Sequence, residues 1–390
     1  MKIAYFVHDL ADPAVARRLS MLRAGGAEPV VLGFRRTEGA PGEVAGVRAI
    51  DLGRTYDGRL GHRARTTALA ALGAGRWRGL LAGADAVMGR TLEALATAEA
   101  ARRLAGVRAP LIYECLDIHR LMLGEGRAGR TMRAVERALL RRCALLIVSS
   151  PAFLREYFEP RQGVGRSLPI RTLLVENKAL ELSGGRPRVQ AQPLGPPWRI
   201  GWMGAIRCRR SLQILTDLAA RRPDLVEVRI HGRPAYTEFD DFDAQVARLP
   251  NVAFLGAYTA EDLPRLYGDV HFSWAIDYME AGQNSAWLLP NRLYESGRYG
   301  AAPIALSDVE TGRYLAARRI GVRLDDPSEL EGVLERMTNE AWRRLRAEID
   351  AVPQETFVAG EADCRRLVNA VAGRAADAQD DPSPAPRLVA

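Results

Sequence analysis

The stretch LPNRLYESGRYGAAPIALS, residues 289–307, combines a loop, a short helix, a glycine stop and a buried strand. Asn291 has the chemistry of a helix N-cap, and Gly300 stands where a helix ends in the left-handed conformation. The apolar run 303–306 is typical of a central parallel strand. A helix that begins in a loop offers free N–H groups to an anion, and Glu295 lies one turn further on, where it can accept hydrogen bonds from a polyol. An ordinary strand–helix unit with a surface glutamate would fit the same residues.

Composition limits the class of protein. The chain has 390 residues, enough for two domains, and 47% of them are hydrophobic, as in a globular protein. No window approaches 18 uninterrupted apolar residues, and the start resembles a strand rather than a signal peptide. The four cysteines are widely spaced and form no CxxC pair, which favours a reducing cytoplasm and argues against zinc. The net charge of +8 is almost entirely arginine and accompanies no recognition motif, so we expect no nucleic-acid partner.

Strand and helix patterns alternate along the chain. A strand at 2–7, a helix at 13–25 and a strand at 28–34 open a βαβ series, which favours a parallel sheet. A second series begins abruptly at 198, after a stretch rich in Gly, Pro, Arg and Gln. The predicted organisation is an N-terminal domain at 1–182, a linker at 183–197, a C-terminal domain at 198–350, a helix at 351–374 that packs back on the N-terminal domain, and a disordered tail at 375–390.

Residues 54–83 are strongly basic. Six arginines accompany a single acid, Asp57, and Trp77 and several leucines are interleaved with them. The arginines are Arg54, Arg59, Arg63, Arg65, Arg76 and Arg78. A basic helix with tryptophan and leucine can lie on an anionic membrane surface. A surface helix in an arginine-rich chain explains the pattern equally well.

Several segments resemble GT-B glycosyltransferases, in particular the family 4-like group that includes bacterial exopolysaccharide (succinoglycan-type) transferases. Gly204 is followed by Arg207, Arg209 and Arg210, at the turn where this family binds a diphosphate. The segment 230–233 is similar to the strand and glycine turn beneath the nucleotide. PNRLYE and GAAPIA within the opening stretch are similar to the segment whose glutamate binds ribose hydroxyls. The N-terminal half adds VERALL at 135–140 and IVSS at 147–150, so the resemblance covers about 1–375.

The resemblance implies an α/β fold with two Rossmann-like domains facing a central cleft, and a metal-independent hexosyltransferase without a cofactor. The donor would be a UDP- or GDP-sugar, and the acceptor a polyprenyl-pyrophosphate-linked saccharide. The expected donor-binding residues are Gly204, Arg207, Arg210, His231, Gly232, Asn284, Asn291 and Glu295. Asp241 and Asp243 have the spacing of a metal-binding pair, but they do not directly follow a strand, so we interpret them as surface residues and assign the diphosphate charge to arginines.

The catalytic residues are harder to assign, because Trp287 stands where this family often has a first glutamate. Asp277 and Glu280 are nearby acids that could replace it, and Asp277 follows a predicted strand.

Three residues of the N-terminal half, Asp9, Asp117 and His119, lie in loops after strands, where a general base for an inverting reaction would stand. We therefore predict Asp117, His119 and Asp277 as catalytic and Asp9 as acceptor-side, and whether the reaction retains or inverts the anomeric configuration stays open.

Two other functions fit parts of the pattern. The missing glutamate would suit a non-catalytic binding or assembly subunit with the same fold. A GT-B-like nucleotide-sugar epimerase is the second alternative, although the PNRLYE segment argues against it. In each case we expect a cytoplasmic protein, peripheral on the inner face of the plasma membrane if the basic segment binds lipid.

Overall fold

A computed structural model describes residues 1–56, 60–183 and 192–374. The predicted tail and residues 184–191 of the predicted linker lie outside these ranges. The chain forms two compact units, the first made of Met1–Glu176 and the segment from Ala359 onward, the second of Asn177–Val358. We had predicted boundaries at 182 and 350. The second unit begins earlier because Ala179 donates its N–H to the carbonyl of Phe357, at 3.0 Å.

The first unit is built on an eight-stranded sheet with the order β3-β4-β2-β1-β5-β6-β7-β8. Its strands are β1 (Lys2–Val7), β2 (Glu28–Arg35), β3 (Glu43–Val44), β4 (Val47–Arg54), β5 (Ala86–Arg90), β6 (Leu111–Cys115), β7 (Cys143–Val148) and β8 (Arg171–Leu174). All neighbouring pairs are parallel except β3 and β4. The predicted βαβ opening is confirmed, and the parallel strands are continuous apolar runs because the middle of the sheet is buried.

Helices connect these strands. They are α1 (Pro13–Ala24), α2 (Leu60–Leu72), α3 (Arg78–Leu81), α4 (Leu92–Leu104), α5 (Arg120–Leu123), α6 (Arg127–Leu140) and α7 (Pro151–Phe153), with a 3-10 turn at Ala74–Trp77 and a π-helix at Leu154–Gln162. The last helix of the chain, Glu361–Val371, also belongs to this unit and lies against α1. A Cβ on Gly25 would come within 2.3 Å of the Cys364 carbonyl oxygen, so glycine permits this close approach.

Both alternatives for residues 54–83, a membrane-facing helix and a surface helix, need a correction. Trp77 and Leu81 are buried in the core, where the Trp77 ring makes an edge-on contact with Phe6 at 6.3 Å. Leu69 and Leu72 are the exposed apolar residues of this segment, 59% and 80% accessible. Arg59 lies outside the described residues, as does the side chain of Arg63.

A buried carboxyl group joins α6 to the core of the first unit. Glu136 accepts hydrogen bonds from the hydroxyls of Tyr113 and Tyr157 and from the side-chain amide of Gln162. Burial raises the pKa of Glu136 to about 7, although these three hydrogen bonds act in the opposite direction. The folded protein therefore binds this proton more tightly than the unfolded chain does.

This shift predicts how stability depends on pH. The contribution of Glu136 is complete below its ordinary pKa of 4.5 and is lost as the pH rises through about 7. We expect the free energy of unfolding to fall by up to about 3 kcal/mol for this reason between about pH 5 and pH 8, and Glu136→Gln to remove that part of the slope. Denaturant titrations at both pH values measure it. Glu125→Gln, a change at an exposed carboxylate, should keep the wild-type dependence of the free energy of unfolding on pH. If Glu136→Gln also keeps that dependence, the prediction is wrong.

The second unit contains a six-stranded parallel sheet with the order β12-β11-β10-β13-β14-β15. The sheet consists of β10 (Trp198–Ile206), β11 (Val226–Pro234), β12 (Val252–Phe254), β13 (Phe272–Trp274), β14 (Ala302–Leu306) and β15 (Val322–Leu324). Two short strands, β9 (Ala179–Leu180) and β16 (Val358–Ala359), lie outside it. β9 and β16 form a separate two-stranded sheet. The apolar run that we predicted as a central strand is confirmed as β14 and is buried along most of its length.

The helices of the second unit follow the strands in turn. They are α8 (Arg209–Arg221), α9 (Phe242–Ala247), α10 (Leu263–Gly268), α11 (Asn284–Trp287), α12 (Asn291–Tyr299), α13 (Glu310–Arg318), α14 (Glu329–Arg336) and α15 (Asn339–Ala351), so that the helix Glu361–Val371 is α16. The helix predicted at 351–374 is thus too long, because α15 ends at Ala351 and α16 begins only after β16. Among the described residues no helix has the length and apolar character needed to cross a membrane.

Candidate functional site

The loops after β10 and β13 meet at the point where the strand order of the second unit reverses. From β10 the chain builds outward through β11 and β12, and it then continues on the other side with β13, β14 and β15. Open parallel sheets bind ligands at such a switch point, outside the carboxyl ends of the strands. Arg207 follows β10 and Asp277 follows β13, and Nη2 of Arg207 lies 3.5 Å from Oδ2 of Asp277. The two predicted residues are therefore brought together.

Two glycines shape the strand ends beside this pair. Gly204 and Gly232 are opposite each other in the register of β10 and β11, and both have positive φ, +109° and +145°. A Cβ on Gly232 would lie 1.8 Å from the carbonyl oxygen of Gly204, which excludes any other residue there. A Cβ on Gly204 would meet open space, so its glycine is required by the backbone conformation. The open space leaves the backbone accessible to a ligand.

The three arginines that follow Gly204, at the beginning of α8, contact different neighbours. Arg210 stacks on the ring of Tyr278, with its guanidinium carbon 4.2 Å from the ring centre. Arg209 instead forms an ion pair with Asp240, at 2.9 Å. Arg207 and Arg210 are thus directed to the loop after β13, whereas Arg209 is not.

A recess opens beside the Arg207–Asp277 pair. It is bounded by the loops after β10, β13 and β14 and by the first residues of α11, α12 and α13. The residues that line it are Arg207, Ala275, Ile276, Asp277, Ser285, Leu288, Pro290, Arg292, Ala305, Leu306, Val309 and Thr311. Most of the lining is apolar and a few polar side chains interrupt it, as in sites for small ligands.

Arg292 is the functional candidate that our sequence analysis missed. Its Nη1 atom is buried and has no hydrogen-bond partner among the described residues. A buried guanidinium nitrogen without a partner is costly, and strained or unsatisfied groups of this kind are found where a ligand completes the site. Its position in PNRLYE was the available signal, since the arginine precedes Glu295 by three residues and therefore shares its helix face.

Glu295 lies on that same face, next to a group of tyrosines. Its Oε2 atom accepts a hydrogen bond from the hydroxyl of Tyr267, at 2.9 Å. Burial, and then the Glu295 carboxylate, raise the pKa of both Tyr267 and Tyr258. The carboxylate is therefore half-buried beside aromatic rings, and Arg292, one turn earlier in the helix, lines the recess.

The other predicted donor-binding residues occupy varied positions. Asn284 is buried at the start of α11, and His231 is buried in β11, where burial, followed by Arg265 and Arg229, lowers its pKa. The prediction that Asn291 caps α12 is wrong. Pro290 takes the N-cap position and its carbonyl accepts the Leu293 N–H at 3.0 Å, so Asn291 becomes the first helical residue and is exposed.

The acids of the second unit have identifiable local roles. Oδ1 of Asp277 accepts the N–H of Met279 at 2.9 Å, which holds the loop after β13 in place. Asp241 caps α9 by accepting the N–H of Ala244, at 3.0 Å, and both Asp241 and Asp243 are exposed, as expected for surface residues. Within the described ranges, no three or more His, Cys, Asp or Glu side chains cluster as metal ligands would.

Two of the three predicted residues of the first unit, His119 and Asp9, stabilise loops. His119 caps α5, since its Nδ1 accepts the N–H of Leu121 at 3.3 Å. Asp9 accepts the N–H of Ala11 at 3.1 Å and lies 3.5 Å from Nε of Arg36. The Asp117 side chain is exposed. These contacts leave their chemical roles as predictions.

Two α/β units built on mainly parallel sheets, with arginines after the positive-φ glycines at the switch point of the second, form the GT-B fold of glycosyltransferases. The chain belongs to the glycosyl transferase 4-like family, whose sequence profile matches residues 12–173. It is 45% identical over 380 residues to the succinoglycan biosynthesis protein ExoL of Rhizobium meliloti (strain 1021), covering 95% of this chain and 93% of that protein.

Solved structures of low sequence identity share the fold. Anabaena Alr3699/HepE, in complex with UDP and glucose, superposes with a TM-score of 0.68 at 16% identity, covering 96% of this chain and 99% of that one. The lipopolysaccharide outer core galactosyltransferase WaaB, in its apo form, gives 0.64 at 14% identity, covering 95% and 99%. The predicted GT-B fold and the predicted glycosyltransferase class are therefore confirmed.

Proposed function

We propose that this glycosyltransferase moves a hexose from a UDP-sugar to a lipid-linked saccharide in the biosynthesis of a succinoglycan-type exopolysaccharide. The acceptor hydroxyl oxygen forms a bond to the anomeric carbon as the bond from that carbon to the diphosphate breaks. The bonding electrons leave with UDP, and the hydroxyl proton is released. The role of the 45% identical relative in succinoglycan biosynthesis supports the pathway, and the UDP and glucose bound by a structural neighbour support the donor class.

The unpartnered Nη1 atom of Arg292 is the observation that carries the proposal. A diphosphate placed between the recess and Glu295 would give this nitrogen its partner. Arg207 and Arg210 would share the charge that develops on the leaving group, which makes a metal ion unnecessary.

The remaining donor contacts follow from the same placement. Glu295 would accept hydrogen bonds from ribose hydroxyls, and the open side of Gly204 would let the backbone approach the diphosphate. We place the hexose in the recess beside Asp277, with Gly232, His231, Asn284 and Asn291 as further donor-side residues. Asp117 and His119 are proposed for catalysis and Asp9 for the acceptor side.

A lipid-linked acceptor would keep the enzyme at the cytoplasmic face of a membrane. The exposed side chains of Leu69 and Leu72, near the exposed Arg76 and Arg78, support peripheral contact with anionic lipid. The buried Trp77 takes no part in this contact.

One incorporation experiment tests the proposed function. Lipid extracted from a host strain that lacks this chain, and so accumulates the natural acceptor, is incubated with purified protein and radiolabelled UDP-glucose, UDP-galactose or GDP-mannose. We expect label from one UDP-sugar to enter the organic phase, with one UDP released per sugar, and EDTA to leave the rate unchanged.

The other outcomes separate the alternatives. Donor binding without UDP release would indicate a non-catalytic subunit. Conversion of one UDP-sugar into another without lipid would indicate an epimerase. Label from GDP-mannose alone would contradict the UDP assignment, and activity abolished by EDTA would contradict metal independence.

A further inference from the structure

A second recess lies at the carboxyl end of the first unit's sheet, lined by residues that the sequence analysis did not single out. Its walls include His8, Arg36, Thr55 and Glu93. About 10 Å³ is available to the centre of a water-sized group, which is room for one hydroxyl. The strand order of this sheet reverses between β1 and β5, so the recess occupies the switch point of the unit.

Thr91, at this edge, has a backbone conformation that normally requires glycine. Its φ of +73° and ψ of 164° lie in a region that residues with a side chain almost never occupy. The residue stands at the N-cap of α4 but makes no capping hydrogen bond with its side chain. Oγ1 of Thr91 is buried and has no partner among the described residues. The backbone of Thr91 does make local hydrogen bonds, since its N–H donates to the carbonyl of Glu114 at 3.1 Å and its carbonyl accepts the N–H of Leu95 at 3.0 Å. The side chain takes no part in them, and strained residues of this kind cluster at functional sites.

His8 reaches the same edge from the neighbouring strand. β1 and β5 pair Phe6 with Gly89, and His8 and Thr91 each follow two residues later. Nε2 of His8 lies 3.4 Å from Oδ2 of Asp12, whereas Nδ1 is buried without a hydrogen-bond partner in the described part of the chain.

The charge state of His8 decides what Nδ1 can bind. Burial lowers the pKa of His8, and the guanidiniums of Arg90 and Arg36 lower it further, against the opposing effect of Asp12 and Asp117. The ring is therefore neutral near pH 7. If Asp12 accepts the proton on Nε2, Nδ1 carries a lone pair that can accept a hydrogen bond.

Arg90 adds two more unsatisfied atoms. Its side chain is fully buried, and Nη1 is held by Glu114 at 3.1 Å and by the hydroxyl of Tyr5 at 3.0 Å. Nε and Nη2 have no hydrogen-bond partner among the described residues. Four buried polar atoms of His8, Arg90 and Thr91, which lie at the ends of the neighbouring strands β1 and β5, thus lack partners among the described residues.

We propose that this edge binds a hydroxyl group of the acceptor saccharide, with His8 Nδ1 accepting its hydrogen bond and Thr91 Oγ1 contacting its oxygen. This inference rests on the proposed function, because it concerns the acceptor of the transfer. A hydroxyl fits the two atoms because it can donate its proton to Nδ1 of His8 and accept a hydrogen bond from Oγ1 of Thr91. Arg90 positions the edge from behind, through Glu114 and Tyr5.

Four variants test the proposal with the same lipid extract and the labelled donor. In His8→Ala and Thr91→Gly we expect the KM for the lipid acceptor to rise about five- to tenfold, as for the loss of one neutral hydrogen bond, with the KM for the donor unchanged. Thr91→Ser keeps the hydroxyl and His8→Asn places an amide oxygen near the position of Nδ1, so both should retain most of the acceptor affinity.

Thr91→Gly also separates binding from a structural role. Glycine adopts this backbone without strain, so Tm should stay level or rise while acceptor affinity falls. A threonine needed only for folding would change both in the same direction. If the wild type transfers sugar but His8→Ala and Thr91→Gly keep the acceptor KM within twofold, the edge holds only water and the inference is wrong. Absence of transfer by the wild type would instead contradict the proposed function.

Discussion

Arg292→Met is expected to lower kcat/KM for the nucleotide sugar about 100-fold or more, the loss typical of removing one charged contact to a developing anion. Methionine keeps the length of the side chain but cannot form the hydrogen bonds of a guanidinium. Because Nη1 of Arg292 has no partner within the described residues, its removal breaks no such bond in the free enzyme. We therefore expect the free energy of unfolding to stay the same or increase, which is the pattern of a residue kept for ligand binding.

Initial rates with varied donor, together with denaturant unfolding, measure both effects. Arg209→Met is the matched control, since Arg209 is exposed, pairs with Asp240 and lies close in sequence to the site arginines. It should retain activity within about twofold, because an exposed ion pair of this kind contributes little. Arg292→Lys restores the charge without the planar fork and should recover part of the rate. Activity of Arg292→Met within threefold of the wild type would rule out its contact with the diphosphate.

Glu114→Ala is expected to destabilise the first unit by about 3–5 kcal/mol, the cost of leaving buried charges without a partner. Glu114 is fully buried and lies 2.6 Å from Nε of Arg18 and 3.1 Å from Nη1 of Arg90. Burial alone would raise its pKa, but the guanidiniums of Arg18 and Arg90 outweigh that effect and hold the pKa at about 2. The carboxylate therefore stays charged, and its removal leaves two buried cations.

Urea titrations of Glu114→Ala and of Glu125→Ala give the comparison. Glu125 is 74% exposed in its ion pairs with Arg133 and Arg161, so its replacement should change the free energy of unfolding far less than that of Glu114. The wild type should also lose the contribution of Glu114 below its ordinary pKa of 4.5, as the pH falls toward 2, a loss that Glu114→Ala cannot show. If the two alanine variants lose the same free energy of unfolding, the prediction is wrong, because water must then reach the arginines around Glu114.

The interpretation of the missing first glutamate also changes with the structure. Trp287 lies in α11, and Glu280 is in the preceding loop, where its N–H donates to Oγ of Ser285 at 3.0 Å. Asp277 is the acid that lines the recess, next to Arg207. Among the two replacements considered from sequence, the structure thus favours Asp277 as the residue to test by substitution.

Features that depend on neighbours along the chain were determined by the sequence itself. Apolar runs predicted the central strands, and Gly300 predicted the end of α12, because positive φ is a local requirement. Gly204 and Gly232 also have positive φ, but they lie within β10 and β11 and not in the turns that we predicted. The stretch 289–307 forms a helix, a glycine stop and the strand β14, and its motif singled out Glu295 as a candidate ligand.

Features that depend on distant residues were decided only by the tertiary structure. The sequence left open whether Trp77 lies on a membrane or on a surface helix, but the residue is buried against Phe6, since its neighbours are set by tertiary packing. Asn291 lost the capping role to Pro290, a difference of one residue that propensity does not resolve. Arg209 and Arg292 both lie in the first turn of a helix. Arg209 nevertheless forms an ion pair with Asp240, whereas Arg292 keeps a buried nitrogen without a partner among the described residues. An unsatisfied hydrogen bond is a property of everything that surrounds an atom, so only the folded chain can reveal it.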